Sequence, residues 1–189
     1  MAASAGVQKV LAKLRSNIEA GNFYEAHEMF KTVYHRYRSR RQLEDSYKLA
    51  ELFNSVAKCA TLCQEGAKLQ LAKGQPNCGV ELAMLLLEAY EADNVAPSEA
   101  AVERVLDIIS SFPKAGPSEG YEPPVEDCSR LAAAAVKWLR KCEGGEQYIG
   151  RVELQLAQYI QAVLGWQGLG YALPHFAQAG DMAPLAAGK

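Results

Sequence analysis

The sequence predicts an all-α protein, an α-solenoid of tetratricopeptide-like helical hairpins. Three observations carry that expectation. Apolar residues recur at i, i+3/i+4 and i+7 in segment after segment, the rhythm of one helix face. No segment combines period-2 alternation with turn residues, so no strand is expected. The amphipathic segments pair at about 1–41, 42–93, 97–142 and 146–178, a spacing of roughly 40–45 residues that suits hairpins stacked on their neighbours.

Val7, Val10, Leu11, Leu14 and Ile18 form the first stripe and predict a helix over 6–20. Gly21 stops it, and Asn22 is placed to cap the next helix over 23–39. There Phe23, Ala26/His27, Phe30, Val33/Tyr34 and Tyr37 share a face. The small Ala26 four residues before Phe30 is the small-x-x-x-aromatic spacing of closely packed hairpin helices. A long helical stretch is expected over 42–73, with Gly66 as its point of interruption. The helix over 79–92 is apolar almost all round at Leu82, Leu85, Leu86 and Leu87, which places it centrally. Ser98 is a natural N-cap for a helix whose face is Val102, Val105, Leu106, Ile109 and Phe112. Residues 113–124 are rich in Pro and Gly and read as a loop. Helices follow over 125–142 (Cys128, Leu131, Ala135, Trp138, Leu139) and 146–164 (Ile149, Val152, Leu156, Ile160, Val163). The stretch through Trp166, Tyr171 and Phe176 reads as a helix interrupted by Gly168, Gly170 and Pro174. The expected organisation is one hairpin array over 1–178 with a disordered tail over 179–189.

The chain has 189 residues, 49% hydrophobic and 22% charged, ordinary values for a soluble protein. No apolar run approaches the ~18 residues of a membrane span. The N-terminus lacks the basic and apolar regions of a secretory signal. Five cysteines without framework spacing fit a reduced setting, so a cytosolic protein is expected. Net charge is −2 but uneven: residues 1–41 hold eight Lys/Arg against three Glu, a balance of +5, and the remainder carries −7. That asymmetry suggests a basic docking end.

Chemistry-bearing motifs are sparse. There is no glycine-rich phosphate loop and no Gly-x-Ser-x-Gly elbow. Cys59 and Cys63 share a helix face at i, i+4, but without a second Cys/His pair at zinc spacing they read as packing cysteines, and no metal or cofactor is expected. His27 beside Phe23 and Phe30 reads as a hairpin-contact histidine. No enzyme activity is expected. The most functional-looking polar feature is His35-Arg36-Tyr37-Arg38-Ser39-Arg40-Arg41. Arg36 and Arg40 share a face, Tyr37 and Arg41 repeat that spacing, and Lys9 and Lys13 do so on the first helix. Such a strip complements a helix C-terminus, docks an acidic protein surface, or contacts nucleic acid. With a sequence pI of about 6.0, nucleic acid is the weakest of the three.

Several of these strings carry a family resemblance. Gly6-Val7-Gln8-Lys9-Val10, Lys13-Leu14-Arg15, Gly21-Asn22-Phe23-Tyr24-Glu25-Ala26-His27 and Arg36-Tyr37 resemble the start of the Golgi to ER traffic protein 4 family. Glu65-Gly66-Ala67, Lys73-Gly74-Gln75-Pro76-Asn77-Cys78-Gly79-Val80-Glu81-Leu82 and Leu85–Tyr90 resemble its next hairpin, and Val136-Lys137-Trp138 its apolar-x-Trp helix. The likeness covers roughly residues 6–142. It implies an α-solenoid and a non-enzymatic cytosolic adaptor in the post-translational targeting of tail-anchored proteins to the ER membrane. In that family the N-terminal hairpins bind a dimeric targeting ATPase, and the C-terminal half holds a ubiquitin-like partner. Carried to this chain, docking falls to Lys13, Tyr24, Arg36, Tyr37, Arg40 and Arg41. Neither nucleic-acid binding nor direct membrane insertion is implied.

Two departures bear on this. A dozen or so residues around Tyr47–Leu62 are additional to the family's helix; they lengthen it or reflect an error in the gene model. The family also continues well past residue 178, so contact with the ubiquitin-like partner is not expected here. An array that stops mid-solenoid presents an uncapped apolar face, for which Trp166, Tyr171 and Phe176 are the candidates. The alternative function is a generic helical-repeat scaffold that holds a peptide in its concave groove, for which the Ala26/Phe30 spacing suffices.

Overall fold

A computed structural model describes residues 5–43, 49–114 and 122–180. Among these the regular structure is all helical, with short turns between helices and no strand. The helices are α1 (Ala5–Glu19), α2 (Phe23–Leu43), α3 (Leu49–Ala72), α4 (Pro76–Ala92), α5 (Glu99–Ser110), α6 (Val125–Lys141), α7 (Glu146–Leu164) and α8 (Leu169–Ala179), with a short 3-10 helix at Gly165–Gly168 between the last two. They form two compact units that divide between Val95 and Ala96.

The first unit contains two hairpins. α1 ends in a Schellman turn: Gly21 N–H donates to the Ile18 carbonyl (3.1 Å) and Asn22 N–H to that of Asn17 (2.9 Å). Gly21 sits at φ +83, where a side chain is strained. The Asn22 carbonyl then accepts from Ala26 N–H, so Asn22 stands at the expected N-cap position of α2. Gly74, at φ +69, repeats the device between α3 and α4, and Pro76 opens α4 at its first turn, where no N–H is needed.

Helix α2 packs on α3 with Ala26, His27, Phe30 and Tyr34 buried, the face expected from the sequence. The Tyr34 hydroxyl donates to the Leu85 carbonyl of α4 at 3.2 Å, and burial pushes its phenol up to about 12. α4 is central to this unit, with Val80, Leu82, Leu86 and Leu87 buried. One expectation fails at α3. The helix is continuous through Gly66, because the glycine is there for proximity and not for a bend. A Cβ on it would lie 2.8 Å from the Phe30 ring and 3.0 Å from Leu82 Cδ1, so α2 closes on α3 only over a bare backbone. Of the residues around 47–62, those on described backbone belong to α3.

In the second unit the Ser98 hydroxyl caps α5, accepting from Ala101 N–H at 3.3 Å. α5, α6 and α7 pack together through Val102, Val105, Ile109, Leu131, Trp138 and Leu156. Phe112 meets Tyr159 edge-on, ring centroids 5.8 Å apart, and the Tyr159 hydroxyl donates to the Pro113 carbonyl at 3.1 Å. Arg151 bridges Glu99 (2.7 Å) and Glu103, joining α7 to α5. α8 departs from expectation in two ways. It runs through Gly170 and across Pro174, because Ala172 and Phe176 are buried in the unit and hold it. Phe176 is therefore core, whereas Trp166 and Tyr171 are 69% and 70% exposed. Of the expected tail over 179–189, Ala179 still belongs to α8 and Gly180 is its C-cap, and residues 181–189 lie outside the described residues.

Candidate partner-binding surface

The first hairpin carries the sequence's basic residues, and the fold divides them into two sets. Three are consumed within the unit. Arg15 pairs with Glu65 of α3 (3.3 Å), Lys31 with Glu81 of α4 (2.9 Å), and Arg38 with Asp93 just past α4. Arg38 Nη1 lies 3.0 Å from each Asp93 oxygen, and the Asp93 side chain is only 5% exposed. Much of the +5/−7 charge division is thus complementarity between α1–α2 and α3–α4 within one unit. The partners are 50 to 55 residues apart in sequence.

The remaining set is outward. Lys9, Lys13 and Arg36 are exposed, with no ion pair to any described residue. Asn17 of α1 donates to Met29 Sδ of α2 (3.1 Å), which sets the level of the antiparallel pair. One helical turn farther along, Lys13 comes level with Val33, and Lys9 with Tyr37. Arg36 is seven residues past Met29 and so rises from the same side of α2, towards α1 and its two lysines. By this spacing the three cations fall along one side of the α1–α2 hairpin.

The other candidate residues are distributed differently. Tyr24 is 72% exposed, but it precedes Arg36 by twelve residues, about 120° around the helix and ~18 Å along it. It lies on the side of Lys31, which faces α4. Tyr37 is half-buried on the packing face. The side chains of Arg40 and Arg41 lie outside the described residues. Lys13 and Arg36 are therefore brought together, Tyr24 stands apart, and Lys9 joins the strip although only its spacing had marked it.

His27 is the hairpin contact expected. It is buried, its Nε2 lies 2.7 Å from Glu81 Oε2, and it joins Lys31 on that carboxylate. Those bonds, from Lys31 first and His27 next, hold the Glu81 carboxyl below its usual range. A lowered folded value means that Glu81 stabilises the unit fully above about pH 4.5, and that this contribution is lost as pH falls through the folded value. Glu81→Gln should accordingly lower the melting temperature at neutral pH and flatten its fall along the acid limb. An acid limb identical to the parent's would refute the linkage. Cys59 and Cys63 are both buried in the core face of α3, where burial pushes the Cys63 thiol far up. No described helix is long and apolar enough to cross a membrane.

A family model described as Golgi to ER traffic protein 4 matches residues 53–187, overlapping the motif-bearing stretch up to about 142 and running past it. The chain belongs to that family. Its relatives include the Golgi to ER traffic protein 4 homologs of Homo sapiens and Xenopus tropicalis, each 29% identical over 178 residues, covering 93% of this chain and 46% of the relative. The Gallus gallus homolog is 29% identical over 167 residues, 88% of this chain and 45% of its own length. The chain thus spans about half the length of the curated relatives it matches. A crystal structure of C. therm. Get4 superposes with a TM-score of 0.56 at 15% identity, over 96% of this chain and 66% of that one. That likeness shows the fold, a helical-hairpin array of the solenoid class.

Proposed function

We propose that the chain is a non-enzymatic cytosolic adaptor that docks a dimeric targeting ATPase through its first hairpin, in the post-translational insertion of tail-anchored proteins into the ER membrane. Family membership supports the pathway. The observation that carries the docking surface is the strip of exposed, unpaired Lys9, Lys13 and Arg36 along the α1–α2 hairpin. Three exposed cations with no ion pair among the described residues are placed to meet an acidic partner surface, where they steer association and set orientation. The adaptor needs no bound cofactor, since it acts by preferring one nucleotide-bound conformation of the ATPase.

The test is a titration of this chain against the ATPase, with and without nucleotide, at about 50 and about 300 mM salt. Nucleotide-dependent binding that weakens with salt is expected. Lys13→Glu with Arg36→Glu should then weaken it by roughly 10- to 100-fold, mainly through slower association. Neither side chain is buried, so the melting temperature should hold. Binding that ignores both salt and charge reversal would move the surface elsewhere, and absence of binding by the folded chain would remove the proposal.

A further inference from the structure

The second unit holds a cleft of about 680 Å³ between α6, α7 and α8, within the roughly 300–1,000 Å³ of ordinary ligand sites. It exists because α8 packs along α7 and not against α6, while α6 presents the small Ala132 and Ala133 to the gap. Ser129, Ala132/Ala133, Val136/Lys137 and Arg140 recur at i, i+3/i+4, so a single stripe of α6 lines one wall.

The lining has three chemical parts. Ala132, Val136 and Leu156 make an apolar floor, and Lys137, Arg140 and Lys141 are exposed cations at the rim. Arg140 and Lys141 also complement the C-terminal end of α6, but Lys137 lies a turn earlier and shares the cleft stripe. The third part is the pair Glu153–His175. Glu153 is 7% exposed, and His175 Nδ1 lies 2.6 Å from its Oε2. A carboxylate so buried requires a partner, and His175 supplies it by donating from Nδ1. The other ring nitrogen, Nε2, is left for a hydrogen bond on the far side of the imidazole.

We propose that this cleft binds a short acidic peptide segment of a partner protein. An apolar side chain rests on the floor, a neighbouring carboxylate meets Lys137 and Arg140, and the peptide backbone hydrogen-bonds to His175 Nε2. Charge complementarity selects the occupant. Among the described lining residues the acid, Glu153, is already engaged by His175, so the cleft offers the exposed cations Lys137 and Arg140 to whatever enters. An inorganic anion would use the cations and leave the floor empty.

The experiment uses the full chain and a fluorescein-labelled peptide of three Leu-Glu repeats, read by anisotropy, with a Leu-Gln repeat as control and inorganic phosphate as competitor. Saturable binding of the Leu-Glu peptide is expected, with weaker binding of the Leu-Gln peptide and no displacement by phosphate at moderate concentration. Two variants locate it. Lys137→Glu with Arg140→Glu removes the cations. Ala133→Trp fills the cleft from an exposed position, so its fold survives and the basic strip of α1–α2 is untouched. Each should cost about tenfold or more in affinity, with unchanged circular dichroism melting. Equal binding of both peptides, binding indifferent to both variants, displacement by phosphate, or no binding at all would each overturn the proposal.

Discussion

Phe30→Ala should lower the unfolding free energy of the first unit by ~3–5 kcal/mol. Phe30 is fully buried, and its ring fills the space between α2, α3 and α4 opposite Gly66 and Leu82. Truncation removes the apolar contact and leaves a cavity that two helices pinned by Arg38–Asp93 and Tyr34–Leu85 cannot collapse to fill. Gly66 sharpens the test. A mid-helix glycine costs roughly 0.5–1 kcal/mol relative to alanine, so Gly66→Ala would stabilise α3 if nothing opposed it. Here the added Cβ would strike the Phe30 ring, and Gly66→Ala should be destabilising. In the Phe30→Ala background the ring is gone and the same Cβ enters the vacancy. The double variant should then be more stable than the sum of the singles by about 0.5–3 kcal/mol, measured by chemical denaturation. Additive effects would mean that the two residues do not meet. A Phe30→Ala cost under ~1 kcal/mol would mean that Phe30 is not an interhelix anchor.

This pair also shows what the sequence disclosed and what it withheld. Periodicity located the packing face of α2, and α7 begins and ends at the residues expected, because apolar spacing and caps are local signals. Ser98 before α5 belongs to the same class. Gly66 was misjudged as an interruption because its reason for being glycine lies on another helix, 36 residues earlier. Phe176 reads as part of an uncapped apolar face because the array is expected to stop mid-solenoid, in a segment that reads as interrupted by Pro174 and the nearby glycines. Burial against α7 outweighs that local preference. The candidate surface was legible in composition but not in arrangement. Lys31 and Arg38 looked as available as Lys13 and Arg36, since Glu81 and Asp93, which neutralise them, are adjacent only after folding. The family resemblance groups Tyr24 with Arg36 in one docking set, and the helix turns them apart.

Trp138→Ala should have an effect of the same size on the second unit, ~3–5 kcal/mol, and it reports on the cleft as well. Trp138 is 1% exposed, nine residues after Ser129 on α6, which is half a turn around the helix. It anchors α6 from the face opposite the cleft, so its loss should loosen the wall that carries Lys137 and Arg140. The chain has two tryptophans, this one buried and Trp166 69% exposed. In the parent, an aqueous quencher should therefore reach one emitter and spare the other. The Trp138→Ala variant should keep only the exposed, red-shifted emission, quenched in full. Trp138→Phe should restore most of the stability, since a phenyl ring refills most of the volume. If the Ala variant melts within ~1 kcal/mol of the parent, α6 is held by its other buried residues, Leu131, Ala135 and Leu139. If it unfolds as expected but still binds the acidic peptide at parental affinity, the peptide site lies off α6.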